Sequence, residues 1–260
     1  MRLLLTNDDG LDSVFLHALA RALAAAGHEL AIVAPACEQS WIGAAKSRHR
    51  PVASAVADPG LGGPTWRVDG TPSDCVNIAL AHLLPRAFRP EAVVSGINIG
   101  RNASLGFIPA SGTIGGAWEG ALHGLPAVAL SQDLTAEAYA AIKSPASEPA
   151  APVLASLREA AVHAARLAPG LVAATAPQSF VVHSLNFPFP CRADAAVKRT
   201  VPARIITPGL FSPAADDGTH RFVFKSGTDV SPPGLFTDRA ALDAGDISHT
   251  VLDYTRLGAM

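Results

Sequence analysis

Asp8 and Asp9 are adjacent carboxylates in the run Asn7-Asp8-Asp9-Gly10, directly after the short apolar stretch Leu3 to Thr6. Held about 4 Å apart at an effective dielectric of about 20, two ionised carboxylates repel by roughly 4 kcal/mol. A cation removes that cost, and hard divalent ions such as Mg²⁺ take oxygen ligands. The other reading is a plain turn, which Asp-Gly favours. The flanks argue for a site, because they read as strand then helix rather than as the two strands of a hairpin. Two more polar turns can supply oxygens: Glu38-Gln39-Ser40, and Ser95-Gly96-Ile97-Asn98-Ile99-Gly100-Arg101-Asn102. Ser111-Gly112-Thr113 opens a further helix, whose free N–H groups and dipole favour an anion. Its plainer reading is an N-cap. The set suits a divalent cation with an anion beside it.

Other chemistries lack their residues. A covalent aspartyl-phosphate route needs a second acid two residues after Asp8, where Gly10 stands. Neither Ser95 nor Ser111 has the preceding glycine of a G-x-S-x-G elbow. Walker A and G-x-G-x-x-G phosphate loops are absent, as is H-E-x-x-H. Arg101 reads as a solvated loop residue, and His82 and His183 as surface or core histidines.

The elements that must carry these turns alternate. Leu3 to Thr6 reads as a strand, Val14 to Ala26 as a helix capped by Asp12 or Ser13, and Leu30 to Val33 as a second strand. This is a βαβ unit. Trp66 to Val68, Ala92 to Ser95, Ala127 to Ser131 and Phe180 to Leu185 read as further strands. Pro72 to Leu84 (capped by Thr71), Gly112 to His123 and Val153 to Leu167 read as helices. Lys143 to Pro152 reads as an exposed connection. Beyond Pro188 the pattern changes, with Val201 to Thr207 and Arg221 to Lys225 as strands of an antiparallel excursion and Ile247 to Leu252 as a last strand. The expected fold is α/β: a Rossmann-like, doubly wound, mostly parallel sheet over 1–188, with a smaller antiparallel extension over 189–260 that completes the core and serves assembly. In such a sheet ligands sit at the carboxyl ends of the strands, where the three polar turns lie.

Composition narrows the partners. The 260 residues carry 20 Lys+Arg against 22 Asp+Glu, so no basic nucleic-acid clamp is expected. Hydrophobic residues make up 49%, which excludes a largely disordered chain. No stretch suits a membrane span. Cys37, Cys75 and Cys191 lack any C-x-x-C pattern, and a reducing, cytoplasmic location is expected.

Read together, several segments resemble the SurE survival-protein nucleotidases: Leu4 to Gly10, Ala34-Pro35 followed by Ser40, Gly70 to Val76, Val94 to Asn98 with Gly100 and Asn102, and Ser111 to Thr113 with Glu119-Gly120. Asn186-Phe187-Pro188 and Gly227-Thr228-Asp229 are partial echoes. The resemblance implies a 5'- or 3'-nucleotidase, an acid-phosphatase-like hydrolase of nucleoside monophosphates that forms homodimers or homotetramers. It implies one divalent cation per subunit, Mg²⁺ or Mn²⁺, on Asp8, Asp9, Ser40 and Asn98. Asn102, Ser111, Gly112 and Thr113 would surround the phosphate and meet its charge, and the reaction implied is metal-assisted hydrolysis of a phosphomonoester in which Asp8 or Asp9 positions water or accepts its proton. The pocket wall departs from the family: Ser13-Val14-Phe15 replaces Ala-Pro-Gly, Ala36 to Gln39 is not basic, and Trp41-Ile42 replaces small residues. These departures keep two alternatives open, a hydrolase of another ester or amide and a metal- or nucleotide-binding paralogue without turnover.

Overall fold

The computed structural model describes residues 1–142 and 149–257. Part of the expected connection from Lys143 to Pro152 therefore lies outside the described residues. A nine-stranded sheet forms the centre. In chain order its strands are β1 (Arg2–Thr6), β2 (Glu29–Pro35), β3 (Ser54–Ala57), β4 (Thr65–Val68), β5 (Ala92–Ile99), β6 (Ala127–Gln132), β7 (Val181–Phe187), β8 (Val197–Thr200) and β11 (Ile247–Asp253). Across the sheet the order is β3-β4-β2-β1-β5-β6-β7-β11-β8. Pairings from β4 through β7 are parallel, and β3 and β11 run antiparallel to β4 and β7. A separate two-stranded antiparallel sheet pairs β9 (Ile205–Ile206) with β10 (Thr228–Asp229). The architecture is α/β, as the alternation of elements predicts.

Burial explains why the central strands are continuous apolar runs. Leu3, Leu4 and Leu5 of β1 are almost fully buried, because helices cover both faces. On one face, helix α1 (Val14–Ala25) turns Phe15, Leu16, Leu19 and Leu23 inward and packs beside α5 (Ala151–Ala173) in a single core. On the other, α2 (Pro72–Ile78) and α3 (Gly112–Leu122) pack against Leu4, Val33 and Val93 and against Ala127 and Val182. Thr71 caps α2 as expected, in a reciprocal box: its hydroxyl accepts from the Asp74 N–H, and the Asp74 carboxylate accepts from the Thr71 N–H. A π-helical turn, Ala79–Leu83, prolongs it.

Four local differences separate the structure from the sequence reading. Ser13 is the N-cap of α1 without a side-chain bond, while Asp12 is drawn away by a two-pronged ion pair with Arg67 at 2.7 and 2.8 Å. Helix α5 runs past Leu167 to Ala173, through Pro169. Arg221 to Lys225 forms no extended strand. Phe222 makes only an isolated bridge to Phe211, and short helices α4 (Ala136–Ile142) and α6 (Asp238–Asp243) appear where no element is expected.

Strand β1 has β2 on one side and β5 on the other. The chain winds outward in both directions from this pair, so a crevice opens at their carboxyl ends. β5 reaches that crevice through a bulge, since Ser95 faces Ala129 but Asn98 faces Ser131, one residue out of step. Gly96 makes the bulge possible: its φ is +133°, and a Cβ there would collide with the Leu130 carbonyl oxygen. Gly96→Ala should therefore lower stability by about 1–3 kcal/mol. A urea melt of purified protein checks this, and an unchanged midpoint would contradict the packing described.

Candidate functional site

The end of β1 delivers Asp8 and Asp9 into the crevice, and their two environments differ. Asp8 is 3% exposed. Its Oδ1 accepts a 2.6 Å hydrogen bond from the Thr113 hydroxyl, at the first turn of α3. Burial, and then the neighbouring Asp9 charge, push the Asp8 carboxyl up to about 7, against the hydrogen bonds from Thr113 that favour its ionised form. Asp9 is half-buried, and its Oδ2 accepts from the Ile99 N–H at 2.8 Å, which ties the end of β1 to the end of β5.

Around this pair the structure gathers residues far apart in sequence. The Gln39 N–H donates to the Asp8 carbonyl at 2.7 Å, laying the loop that contains Ser40 beside the acidic turn. Asn98, 7% exposed, donates its amide N–H to the Gly100 carbonyl at 2.6 Å. That fixes the amide and leaves its oxygen as the end able to accept. Gly112 sits so close that a Cβ would come within 2.8 Å of the Asp8 Cβ, so only glycine lets the start of α3 approach the carboxylate. Ser111 is buried as the N-cap, accepting from the Ile114 N–H at 3.1 Å. Thr113 already spends its hydroxyl proton on Asp8, so its first task is to orient that carboxylate.

Asn102 is held more tightly than the sequence suggests. Its backbone N–H donates to Asn186 Oδ1 at 2.8 Å and its side-chain amide to the Ser131 hydroxyl at 2.9 Å. Arg101 is not a free loop residue: it pairs with Asp133 at 3.3 Å.

Several supporting residues carry no local sequence signal. Lys46 reaches buried Glu119 at 2.6 Å, the Ser47 N–H donates to Asp74, and the Thr71 hydroxyl donates to the Ala45 carbonyl at 2.7 Å, so the loop after Ser40 is pinned to α2 and α3. Asp238 is fully buried and accepts from the backbone N–H groups of Ser104 and Ala203, clamping the loop after Asn102 to the C-terminal part of the chain. Burial raises its carboxyl despite these bonds.

Among the described residues no three His, Cys, Asp or Glu side chains cluster as a metal cage. The donors on hand are of another kind: two carboxylates, one of them with its proton affinity raised by burial and by its neighbour's charge, with an amide and a hydroxyl on adjoining turns. A hard divalent cation fits that oxygen set, because it offsets both the burial of the Asp8 charge and its repulsion from Asp9.

The fold and the crevice together define a Rossmann-like α/β protein with an acidic, oxygen-rich site at the switch point of its sheet. The sequence model of the family described as "Survival protein SurE" matches residues 3–207, and the chain belongs to that family. It is 39% identical over 168 residues to a protein of Synechococcus elongatus named 5'-nucleotidase SurE, covering 63% of this chain and 60% of that protein. It is 44% identical over 138 residues to a protein of the same name from Geotalea daltonii, covering 53% and 52%. The chain thus spans between half and three fifths of the length of these relatives. The crystal structure of the SurE protein from Aquifex aeolicus superimposes over 100% of this chain and 98% of its own, with a TM-score of 0.72 at 24% identity, a likeness of fold.

Removing the Asp9 charge should let Asp8 ionise more easily. In metal-free protein, the Asp8 carboxyl followed by carbon-13 NMR should titrate near pH 7, and Asp9→Asn should move its midpoint downward. An unmoved midpoint would show that the two carboxyls do not interact.

Proposed function

We propose that the chain is a phosphomonoesterase of nucleoside monophosphates that depends on one divalent cation per subunit, Mg²⁺ or Mn²⁺. The observation that carries the reading is the Asp8–Asp9 pair at the switch point, facing the start of α3 across a 2.6 Å hydrogen bond. The relatives named 5'-nucleotidase supply the substrate class.

Asp8, Asp9, Ser40 and Asn98 are the residues that would hold the ion. When bound, a divalent cation supplies Lewis acidity toward a phosphoryl oxygen and toward water. Asp8 and Asp9 align the attacking water and take up its proton. The backbone N–H of Gly112, the Ser111 and Asn102 side chains and the dipole of α3 stabilise charge on the phosphoryl group. Thr113 holds Asp8 in the required rotamer. The nearly neutral chain needs no basic patch for this, because the cation and the helix terminus take its place.

Residues 189–260 serve assembly into a dimer or tetramer in this reading. Among the described residues no helix is long and apolar enough to cross a membrane, and three cysteines without a disulfide suit the cytoplasm.

The test is phosphate release from a panel of nucleoside monophosphates with Mg²⁺, with Mn²⁺ and after chelation. Wild type should require the ion, and Asp8→Asn should lose about 10²-fold or more in kcat. Equal turnover by Asp8→Asn, or none by the metal-loaded wild type, would overturn the proposal. In the second case, nucleotide binding without release would favour a paralogue that binds and does not react.

A further inference from the structure

Beside the acidic turn lies a feature that hydrolysis of a phosphate does not need. Trp41 follows Ser40 directly, is 40% exposed and has a φ of +63°. A bulky residue keeps such a left-handed backbone only where its surroundings hold it. Its ring meets Phe107 edge-on with centroids 5.6 Å apart, Phe222 at 4.8 Å and Phe224 at 6.2 Å. Phe107 and Phe224 are 5.7 Å apart, and Phe211 packs edge-on against Phe222.

These rings come from three separate segments: the loop after β2, the loop after β5, and a hairpin closed by the Val223 N–H donating to the Leu210 carbonyl and the Ser212 N–H to the Arg221 carbonyl. Phe222 and Phe224 alternate along that hairpin and so present one side. Yet the cluster stays wet, with Phe224 58% exposed. Aromatic rings brought together and left open to solvent mark a binding surface rather than a core.

Its place indicates what it binds. Gln39 is bonded to Asp8, and the Gly43 N–H donates to the Ala110 carbonyl at 2.9 Å, so residues 39–43 are stitched between the acidic turn and the start of α3. Two residues of chain reach at most about 7 Å. Trp41 is thus two residues from a bond to Asp8 and two from a bond to Ala110, so it borders the crevice between the acidic turn and the start of α3.

We infer that Trp41, with Phe107, Phe222 and Phe224, is a stacking platform for the base of the substrate, and that it selects purine over pyrimidine nucleoside monophosphates. The inference rests on the phosphomonoesterase reading for the position of the phosphate. Stacking strengthens with the overlapped ring area, and a purine covers more of an indole than a pyrimidine does. Small residues in the place of Trp41 and Ile42 would offer no such surface.

The experiment compares AMP, CMP and ribose 5-phosphate as substrates and follows tryptophan fluorescence on adding each. Wild type should favour AMP over CMP. Trp41→Leu should reduce the ratio of kcat/KM for AMP to that for ribose 5-phosphate by about 10-fold, mostly through KM, with Phe224→Leu reducing it less and Trp41→Phe restoring it. AMP should quench wild-type fluorescence, and Trp41→Leu should abolish that quench. An unchanged ratio would overturn the inference; if Trp41→Leu instead weakened self-association in sedimentation, the cluster would be covered by a second copy of the chain. If wild type released phosphate from none of the three, a quench by AMP and not by ribose 5-phosphate would still support stacking while the phosphomonoesterase reading failed. The lack of any quench would sink the inference by itself.

Discussion

The repulsion between two carboxyl groups on one tight turn is the constraint to which the rest of the site answers. Asp8 and Asp9 are consecutive, and Asp8 is almost completely buried at the end of a strand covered on both faces. Burial alone disfavours its charge, and Asp9 adds to the penalty. The surrounding structure relieves part of it. The Thr113 hydroxyl donates to Asp8, the N-terminal end of α3 faces it, and the Ile99 N–H donates to Asp9. What remains is a proton on Asp8 near neutrality or, in our proposal, a divalent cation. The proposed chemistry follows from that remainder.

Much of the fold can be understood as the means of bringing those partners to the turn. The reversal of strand order at β1 and β5 opens the crevice, and the bulge at Gly96 sets Asn98 one residue out of step so that it reaches the rim. Gly112 lets α3 come within van der Waals contact of Asp8. Beyond this first ring, Lys46–Glu119 and the Asp74 box immobilise the loop that carries Ser40, and Asn186 and Ser131 fix Asn102. Asp238 ties the loop after Asn102 to residues more than a hundred positions away, so the C-terminal part of the chain supports the site as well as extending the sheet.

The legible part of this arrangement was the part written in local pattern. Short apolar runs at Leu3 to Thr6, Leu30 to Val33 and Ala92 to Ser95, with helical spacing from Val14, are enough to place three polar turns at the carboxyl ends of strands. The Asp-Asp-Gly turn shows its charge conflict in two adjacent letters. The supporting ring is different in kind. Asn186, Ser131 and Asp238 are single polar residues whose partners lie 84, 29 and 134 positions away, and no periodicity marks them. Strand β3 is a mostly exposed edge of four residues, Ser54–Ala57, too short to show a strand period. The stretch around Arg221 alternates like a strand but is spent on a wet hairpin, because its phenylalanines meet Trp41 rather than the sheet.

The central claim is that the Asp8–Asp9 turn holds a divalent cation, and Mn²⁺ binding followed by electron paramagnetic resonance tests it without reference to any substrate. Wild type should take up one Mn²⁺ per chain, displaceable by Mg²⁺ and lost as the pH falls well below 7, and Asp9→Asn should bind it far more weakly. Full-strength binding by Asp9→Asn, or no binding by the wild type at pH 8, would contradict the account.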